Sequence, residues 1–196
     1  MLEVTCQVVM DRGFANTRVS DVAAKLGVST GLVHYHFTSK NQLLAEAFRH
    51  AANADLERLQ HEISKATTAI AKLDKIFKLY SPVEAEPGWM LWIDGWGEAL
   101  RNDQLKRISQ ELDDEWKQAL QIIITEGVAT GEFACADPHG AAWRLAAVLD
   151  GLAVQVTVHE GTISRSQLSS WVRTAASLEL GLPQGAFVAR KAPKVG

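Results

Sequence analysis

Between Thr17 and Lys40 the chain concentrates side chains suited to hydrogen bonding with phosphates and with the edges of bases: Thr17, Arg18 and Ser20, then Ser29, Thr30 and Gly31, then His34, Tyr35, His36 and Lys40. Ser29, Thr30 and Gly31 are small enough for close approach to a major groove, where each base pair presents its own donor and acceptor pattern. His34, Tyr35 and His36 carry groups able to donate to phosphate oxygens without a formal charge. Lys40 falls at the start of a further helical pattern, where free amide N–H groups and a cation can act on one phosphate. Arg18 and Ser20 are expected at the flanking backbone strand. Contacts of this kind set register and orientation, and the small residues read the bases.

Two short helical patterns around one tight turn must position these groups. Val19, Val22, Ala23 and Leu26 form an i, i+3, i+4, i+7 stripe, and Gly27 follows where a left-handed residue stops a helix. Thr17 is the expected cap of this first helix and Ser29 of the second. Val28, Leu32 or Val33, and Phe37 recur at roughly helical spacing on the second helix, which leaves Thr30, Gly31, His34, Tyr35 and His36 to occupy or border its outer side. Two helices joined by about four residues cross steeply, and a reading helix of this design lies in the major groove with its N-terminal residues at base edges.

The run Gly13-Phe14, TRVSDVA over 17–23, GVSTG over 27–31, YHFTSK over 35–40 and Leu43-Leu44 resembles the N-terminal domain of the TetR family, the tetracycline-repressor-like regulators. The resemblance covers about the first 47 residues. It implies a homodimeric, ligand-responsive transcriptional regulator that binds an operator duplex through residues 1–47 and a small-molecule effector through a helical C-terminal region. Two features depart from the pattern. His34 stands where the family usually carries Tyr, and Met1-Leu2 already lies inside the first helical stripe (Leu2, Cys6, Val9), so a basic arm ahead of that helix is expected to be shortened or missing.

Composition fits an all-α protein. Of the 196 residues 47% are hydrophobic, strand-like alternation is scarce, and the five prolines fall outside the helical stripes. No uninterrupted run of about 18 apolar residues occurs and no signal pattern opens the chain, so a cytoplasmic protein without a membrane role is expected. Cys6 reads as a core residue and Cys135 as a loop thiol. The net charge of −3 hides a mild asymmetry. Residues 1–50 hold five Lys/Arg (Arg12, Arg18, Lys25, Lys40, Arg49) against four acids (Glu3, Asp11, Asp21, Glu46), and the remainder holds fifteen against nineteen. A head at +1 implies few phosphate ion pairs and reliance on neutral donors, helix ends and dimerisation.

Beyond Lys40 the pattern predicts a connecting helix from Asn41 to about Lys65, then five or so further helices in an effector-binding and dimerisation domain over 48–182, followed by a disordered tail over 183–196. Ile70, Leu73, Phe77 and Tyr80 form one stripe. A helix opening near Glu86-Pro87 carries Trp89, Trp92 and Trp96 on one face, and another, from Asn102-Asp103 to Thr130-Gly131, buries Leu105, Ile108, Leu112 and Trp116. Asp137-Pro138 is a cap followed by a proline at the first helical position. The family resemblance implies an effector cavity enclosed by these helices. Leu73, Phe77, Trp89, Trp92, Trp96, Trp116 and Trp143 are its expected lining, suited to a flat or apolar molecule or to a quaternary ammonium. For each indole, plain core packing is the competing reading, and Asp94 falls on the opposite side from the three clustered Trp residues. The stretch WIDGWGEALRN over 92–102 is loosely similar to the choline-responsive branch of the family and by itself names no ligand.

The last two helices show apolar residues over more than one face. Leu149, Leu152 and Val156, with Leu168, Trp171, Val172 and Ala175, are therefore expected at a two-fold dimer interface, a four-helix bundle that sets two reading helices about 34–36 Å apart on a palindromic operator. Catalytic and metal chemistry find little support. His34 and His36 point roughly 160° apart on a helix and cannot share a metal, and a cap and a turn account for Cys135, Asp137 and His139. His159 and Asp150 are accompanied by no nucleophile, and no glycine-rich phosphate cradle occurs. Neither an enzyme nor a bound cofactor or metal is expected. The competing functional readings are an enzyme or small-molecule carrier using the Trp-rich region without DNA binding, and a helical scaffold that binds a protein through its last helices.

Overall fold

Caps and apolar stripes divide this chain into helices alone. The computed structural model describes residues 1–81, 88–159, 161–183 and 185–187, and within them lie nine helices and no strand. They are α1 (Leu2–Arg12), α2 (Val19–Leu26), α3 (Thr30–His36), α4 (Lys40–Ser64), α5 (Ala69–Tyr80), α6 (Gly88–Ala99), α7 (Asp103–Ala129), α8 (Pro138–Val158) and α9 (Arg165–Glu179). The expected helix start at Glu86-Pro87 and the tail residues 184 and 188–196 lie outside the described residues.

The chain divides into two compact units, one of Met1–Arg58 with Val83–Trp116 and one of Leu59–Pro82 with Lys117–Gly196. In the first, Val8 of α1, Val22 and Ala23 of α2, Val33 of α3 and Leu43 of α4 form a buried cluster, with Val19, Leu26, Val28 and Phe37 packed around it. Gly27 ends α2 at φ 69°, a left-handed conformation that costs glycine least, and its N–H bonds the carbonyls of Ala23 and Ala24. Cys6 is buried, and its Sγ donates to the Ala47 carbonyl at 3.1 Å. Burial pushes the Cys6 thiol up to about 11, so it acts as a small core residue rather than a reactive thiol.

In the second unit α9 packs on α8 and α5. Leu73, Ile76 and Phe77 of α5, Leu145 and Leu149 of α8, and Leu168, Val172 and Ala176 of α9 are buried. Asp137 caps α8 by accepting from the Gly140 N–H at 2.9 Å, with Pro138 at the first helical position. Arg144 of α8 makes a two-pronged pair with Glu179 of α9 at 2.8 and 2.7 Å, and Arg173 of α9 pairs with Asp74 of α5 at 2.9 and 2.7 Å. Among the described residues α8 is the one helix long and apolar enough, by length and composition, to cross a membrane. Its inward face is nevertheless helix core, through Ala141, Ala142, Leu145, Ala146, Leu149 and Ala153.

The start of α5 is held by a residue far along the chain. Glu132 accepts the N–H groups of Ala69 at 3.0 Å and Ile70 at 3.2 Å, beside the Thr68 cap that takes the Ala71 N–H. Desolvation, the largest influence on Glu132, raises its pKa. The two backbone N–H groups, the Thr130 hydroxyl and Lys72 outweigh it and hold the carboxyl below its ordinary range. A carboxylate whose pKa is lowered by folding adds stability above its unfolded value of about 4.3, and that increment is lost as pH falls through the lower folded value. Glu132→Ala is therefore expected to reduce unfolding free energy at pH 7 by about 1 kcal/mol, the usual magnitude for a lost helix cap. In urea melts at several pH values the difference from the unaltered chain should shrink below about pH 4; a difference constant down to pH 2 would rule out this role.

Candidate nucleic-acid interface

The reading helix α3 is only seven residues long, and its surroundings set its orientation. Ser29 accepts the Leu32 N–H at 3.2 Å and starts the helix as expected, while Val33 points into the core of the first unit. With that side buried, Ser29, Thr30, Gly31, His34, Tyr35 and His36 are all exposed. Tyr35 projects furthest, at 83% exposure, with the His36 ring edge-on to it at 5.2 Å. Thr30 and Gly31 at the N-terminal end and donors at the C-terminal end match the division of labour of a groove-reading helix, bases first and backbone later.

Thr17 requires a correction. It is 1% exposed, and its hydroxyl donates to the Gly13 carbonyl at 2.8 Å, so it neither caps α2 nor offers an oxygen to a phosphate. The capping position is Arg18, whose N–H is taken by the Asp21 carboxylate at 3.0 Å. The side chain of Thr17 turns inward because the chain between α1 and α2 folds back on itself there, and a threonine can close that bend by bonding its own i−4 carbonyl. Arg18 and Ser20 remain exposed beside α2.

Lys40 opens α4 and is half-buried, with Nζ donating to the Ala15 carbonyl at 2.9 Å. Its helix start is built by Ser39, which accepts the Gln42 N–H at 3.1 Å, and by Gln42, whose side-chain oxygen accepts both the N–H and the hydroxyl of Thr38 at 2.8 and 2.9 Å. The other cations of the first fifty residues are also engaged. Arg12 lies 3.7 Å from Asp21, Lys25 3.0 Å from Asp11 and Arg49 2.6 Å from Glu111. Among the described residues, Arg18 and Lys40 are the Lys and Arg of this stretch for which no ion pair is found, and Lys40 is held by the Ala15 carbonyl.

Helix α6 joins this unit at the corner before α2. The Asp94 carboxylate accepts the Phe14 N–H at 2.7 Å, and Gly95 faces the Phe48 and Phe14 rings so closely that a Cβ would lie 3.1 Å from Phe48. Gly13 is needed there twice over, by φ 79° and because a Cβ would stand 3.2 Å from Asp94. Phe48 meets Phe14 at 5.9 Å and Trp92 at 4.9 Å, both edge to face. Sequence periodicity placed Asp94 away from the indoles and no further. Its partner is eighty residues away in the chain, and no local pattern announces such a bond.

The expected effector residues are divided between the two units. Trp89, Trp92 and Trp96 form one half-buried indole cluster, with ring centroids 6.1 Å apart for Trp89 and Trp96 and 5.9 Å for Trp92 and Trp96. Trp116 is buried in the first unit, and Leu73 and Phe77 are fully enclosed in the second. Trp143 does not belong with them: it is 46% exposed on the outer side of α8, with the Lys117 ammonium 3.7 Å from its ring centre. The inward positions of α8 are taken by Ala142, Leu145, Ala146 and Leu149, which turns Trp143 outward.

The expected dimer residues divide as well. Leu149, Leu168 and Val172 are buried within the second unit, so they are core and not interface. Leu152, Val156 and Ala175 are half-buried, and Trp171 is 45% exposed. The apolar residues left open are Trp143, Ala147, Gly151 and Val158 on α8, and Trp171 and Leu178 on α9, with the half-buried Ala175 between those two. Three of the seven expected interface residues, Leu149, Leu168 and Val172, thus belong to the core, because α8 carries apolar residues on more than one side and its sequence does not tell inside from outside.

Comparison with known proteins agrees with this geometry. Residues 1–47 match the model of the bacterial regulatory proteins of the tetR family, and residues 69–181 match that of the BetI-type transcriptional repressor C-terminal region. The HTH-type transcriptional regulator BetI of Paraburkholderia xenovorans is 29% identical over 167 residues, covering 78% of this chain and 77% of that one. A transcriptional regulator from Saccharomonospora viridis, solved in complex with choline, superposes with a TM-score of 0.83 at 28% identity, over 91% of this chain and 94% of its own. FadR from Bacillus subtilis, solved in complex with stearoyl-CoA, shares the fold at a TM-score of 0.75 and 22% identity, over 93% and 97% of the two chains. An exposed reading helix with a capped, buried inner side, and family models spanning both ends of the chain, lead to one conclusion: this chain belongs to the TetR family of transcriptional regulators, DNA-binding proteins rather than enzymes, with a C-terminal region of the BetI type.

Proposed function

We propose that this chain is a homodimeric repressor whose two heads, residues 1–47 of each copy, occupy successive major grooves of a palindromic operator and are released when a small molecule binds the helical region 48–182. The observation that carries the reading is the exposed outer side of α3, with Thr30 and Gly31 at its start and Tyr35 and His36 at its end. In this reading Ser29, Thr30 and Gly31 approach base edges, and Arg18, Ser20, His34, Tyr35, His36 and Lys40 hold the backbone on either side. It acts in the cytoplasm, where the duplex is.

In a gel-shift titration with the duplex upstream of its own gene, Tyr35→Ala is expected to weaken binding roughly tenfold or more, since a dimer loses two hydrogen bonds of about 1 kcal/mol each. Lys40→Ala should lower the slope of log affinity against log salt by about 0.9 per lost phosphate contact. Affinity and slope unchanged in both variants would refute the groove reading.

Dimerisation is proposed through the outer rows of α8 and α9, namely Ala147, Gly151 and Val158 with Trp171, Ala175 and Leu178, and the half-buried Leu152 and Val156 at their margin. An apolar helix face left open to water in a single copy supports this assignment. Trp171→Glu places a charge in that face; sedimentation at micromolar concentration is expected to show monomers for the variant and dimers for the unaltered chain. Monomers for both would remove the dimer from the model.

The effector is proposed to be a small apolar or aromatic molecule, or a quaternary ammonium held by cation–π contact, taken by the indole face of α6. The choline complex of the S. viridis regulator supports the cationic choice. Helix α6 offers a route from effector to head, because the helix carrying Trp89, Trp92 and Trp96 also carries Asp94, bonded to Phe14 at the corner before α2. A shift of α6 on binding would then pull the head through that bond and favour a state unable to span both half-sites. Choline quenching of tryptophan fluorescence should be unaltered in Asp94→Ala, while the loss of operator affinity caused by choline shrinks severalfold. An undiminished loss in that variant would rule out Asp94 as the link.

A further inference from the structure

The first fifty residues carry little net charge, five Lys and Arg against four Asp and Glu. Three of the five Lys and Arg side chains are ion-paired, Arg12 with Asp21, Lys25 with Asp11 and Arg49 with Glu111, while Lys40 donates to the neutral Ala15 carbonyl and keeps its charge. Glu3 and Glu46 are the remaining acids of the first fifty residues, whose formal sum is five positive against four negative, or +1 with histidines neutral. On α3 itself no Lys, Arg, Asp or Glu occurs, and its ionisable groups are His34, Tyr35 and His36, all exposed. The charged and titratable groups of the helices around α3 are Glu3, Asp11 and Arg12 on α1, Asp21 and Lys25 on α2, and Lys40, Glu46, Arg49 and His50 on the first part of α4, which continues with Asp55, Glu57, Arg58, His61 and Glu62; no ion pair found among the described residues involves His34 or His36. The Tyr35 ring meets His36 edge-on and adds no charge.

Histidine is the side chain whose charge changes between pH 5 and 8. We infer that His34 and His36 make operator binding proton-linked: the two imidazoles, exposed on the two flanks of α3, become cationic in acid and raise the formal charge of residues 1–47 from 0, four Lys/Arg against four Asp/Glu, to +2. The inference rests on the DNA-reading role proposed for α3. A neutral imidazole gives a phosphate one hydrogen bond. An imidazolium gives a charge-assisted one and releases a condensed counterion from the duplex as well. In a head with many free lysines two extra charges would be a minor addition, whereas here they turn a formal sum of 0 over residues 1–47 into +2. The linkage is reciprocal: contact with phosphate favours the charged imidazole, so binding takes up protons as pH falls. A weakly acidified cell would therefore hold this regulator on its operator more tightly, with no change in effector.

The test is operator binding by fluorescence anisotropy at about pH 5.8 and pH 8 over a series of salt concentrations, with the duplex upstream of the gene and a shuffled duplex of the same composition. The unaltered chain is expected to bind the upstream duplex at least about tenfold more tightly at the lower pH, with the salt slope steeper by about 0.9 for each imidazolium that meets a phosphate. His34→Gln/His36→Gln keeps neutral donors on an exposed helix surface; its affinity should lose the pH dependence, and the single variants apportion the effect. Circular dichroism at both pH values checks that the double variant is folded. Upstream-duplex binding that is the same at both pH values, or a pH dependence that persists in the folded double variant, would overturn the inference and leave the DNA-reading role standing. A failure to bind the upstream duplex better than the shuffled one at either pH would remove that role, and the proton linkage with it.

Discussion

A helix of seven residues does not hold itself together in water. The first hydrogen-bonded turn costs more order than it returns, and isolated helices need a dozen or more residues to persist. α3 therefore exists because Val33 is anchored among Val8, Val22, Ala23 and Leu43, and because Ser29 takes an amide that would otherwise lack a partner. That anchoring leaves one side of α3 free of any packing duty, so its residues can be chosen for what they touch outside the protein. The same economy explains why Gly27, with its left-handed backbone, sits between the two short helices: a residue with a side chain would strain the one turn that sets their crossing.

Rigidity continues from α3 towards α6. Gly13 bends the chain after α1, its neighbour Phe14 gives an N–H to Asp94, and Gly95 lets the Phe48 ring lie against the α6 backbone. Small residues at two close approaches and one short hydrogen bond make a joint with little slack, and joints of this kind transmit displacement rather than absorb it. The helix that carries the indole cluster thereby also carries Asp94, the residue bonded to the corner of the head. In energetic terms the joint is modest, about one neutral-to-charged hydrogen bond plus aromatic contact. Its significance is geometric.

Charge is the scarce resource of the head. Surface ion pairs such as Arg12 with Asp21 and Lys25 with Asp11 add little stability, yet they occupy cations that a duplex would otherwise attract. In the proposed reading, affinity draws on helix ends, hydroxyls, imidazoles and the doubling of a two-fold dimer. In the second unit, α8 and α9 carry one set of apolar side chains closed within a single copy and another left open.

Local spacing alone was enough to locate the helices, because a stripe, a cap and a stop are written within a few residues. Ser29, Ser39, Asp137-Pro138 and Gly27 each mark a boundary where the helix begins or ends. The outer residues of α3 were legible for the same reason, since a single buried position, Val33, determines which side faces out. The roles of Thr17, Trp143, Leu149, Leu168 and Val172 were not. Thr17 turns inward at a bend, and helices apolar on every side, such as α8, carry no mark of which face a neighbour will cover. Asp94 and Glu132 act on amides eighty and more than sixty residues away. Bonds of that reach exist only once the chain has closed on itself, so tertiary packing alone decides them, while periodicity and capping, being short-range, belong to the sequence.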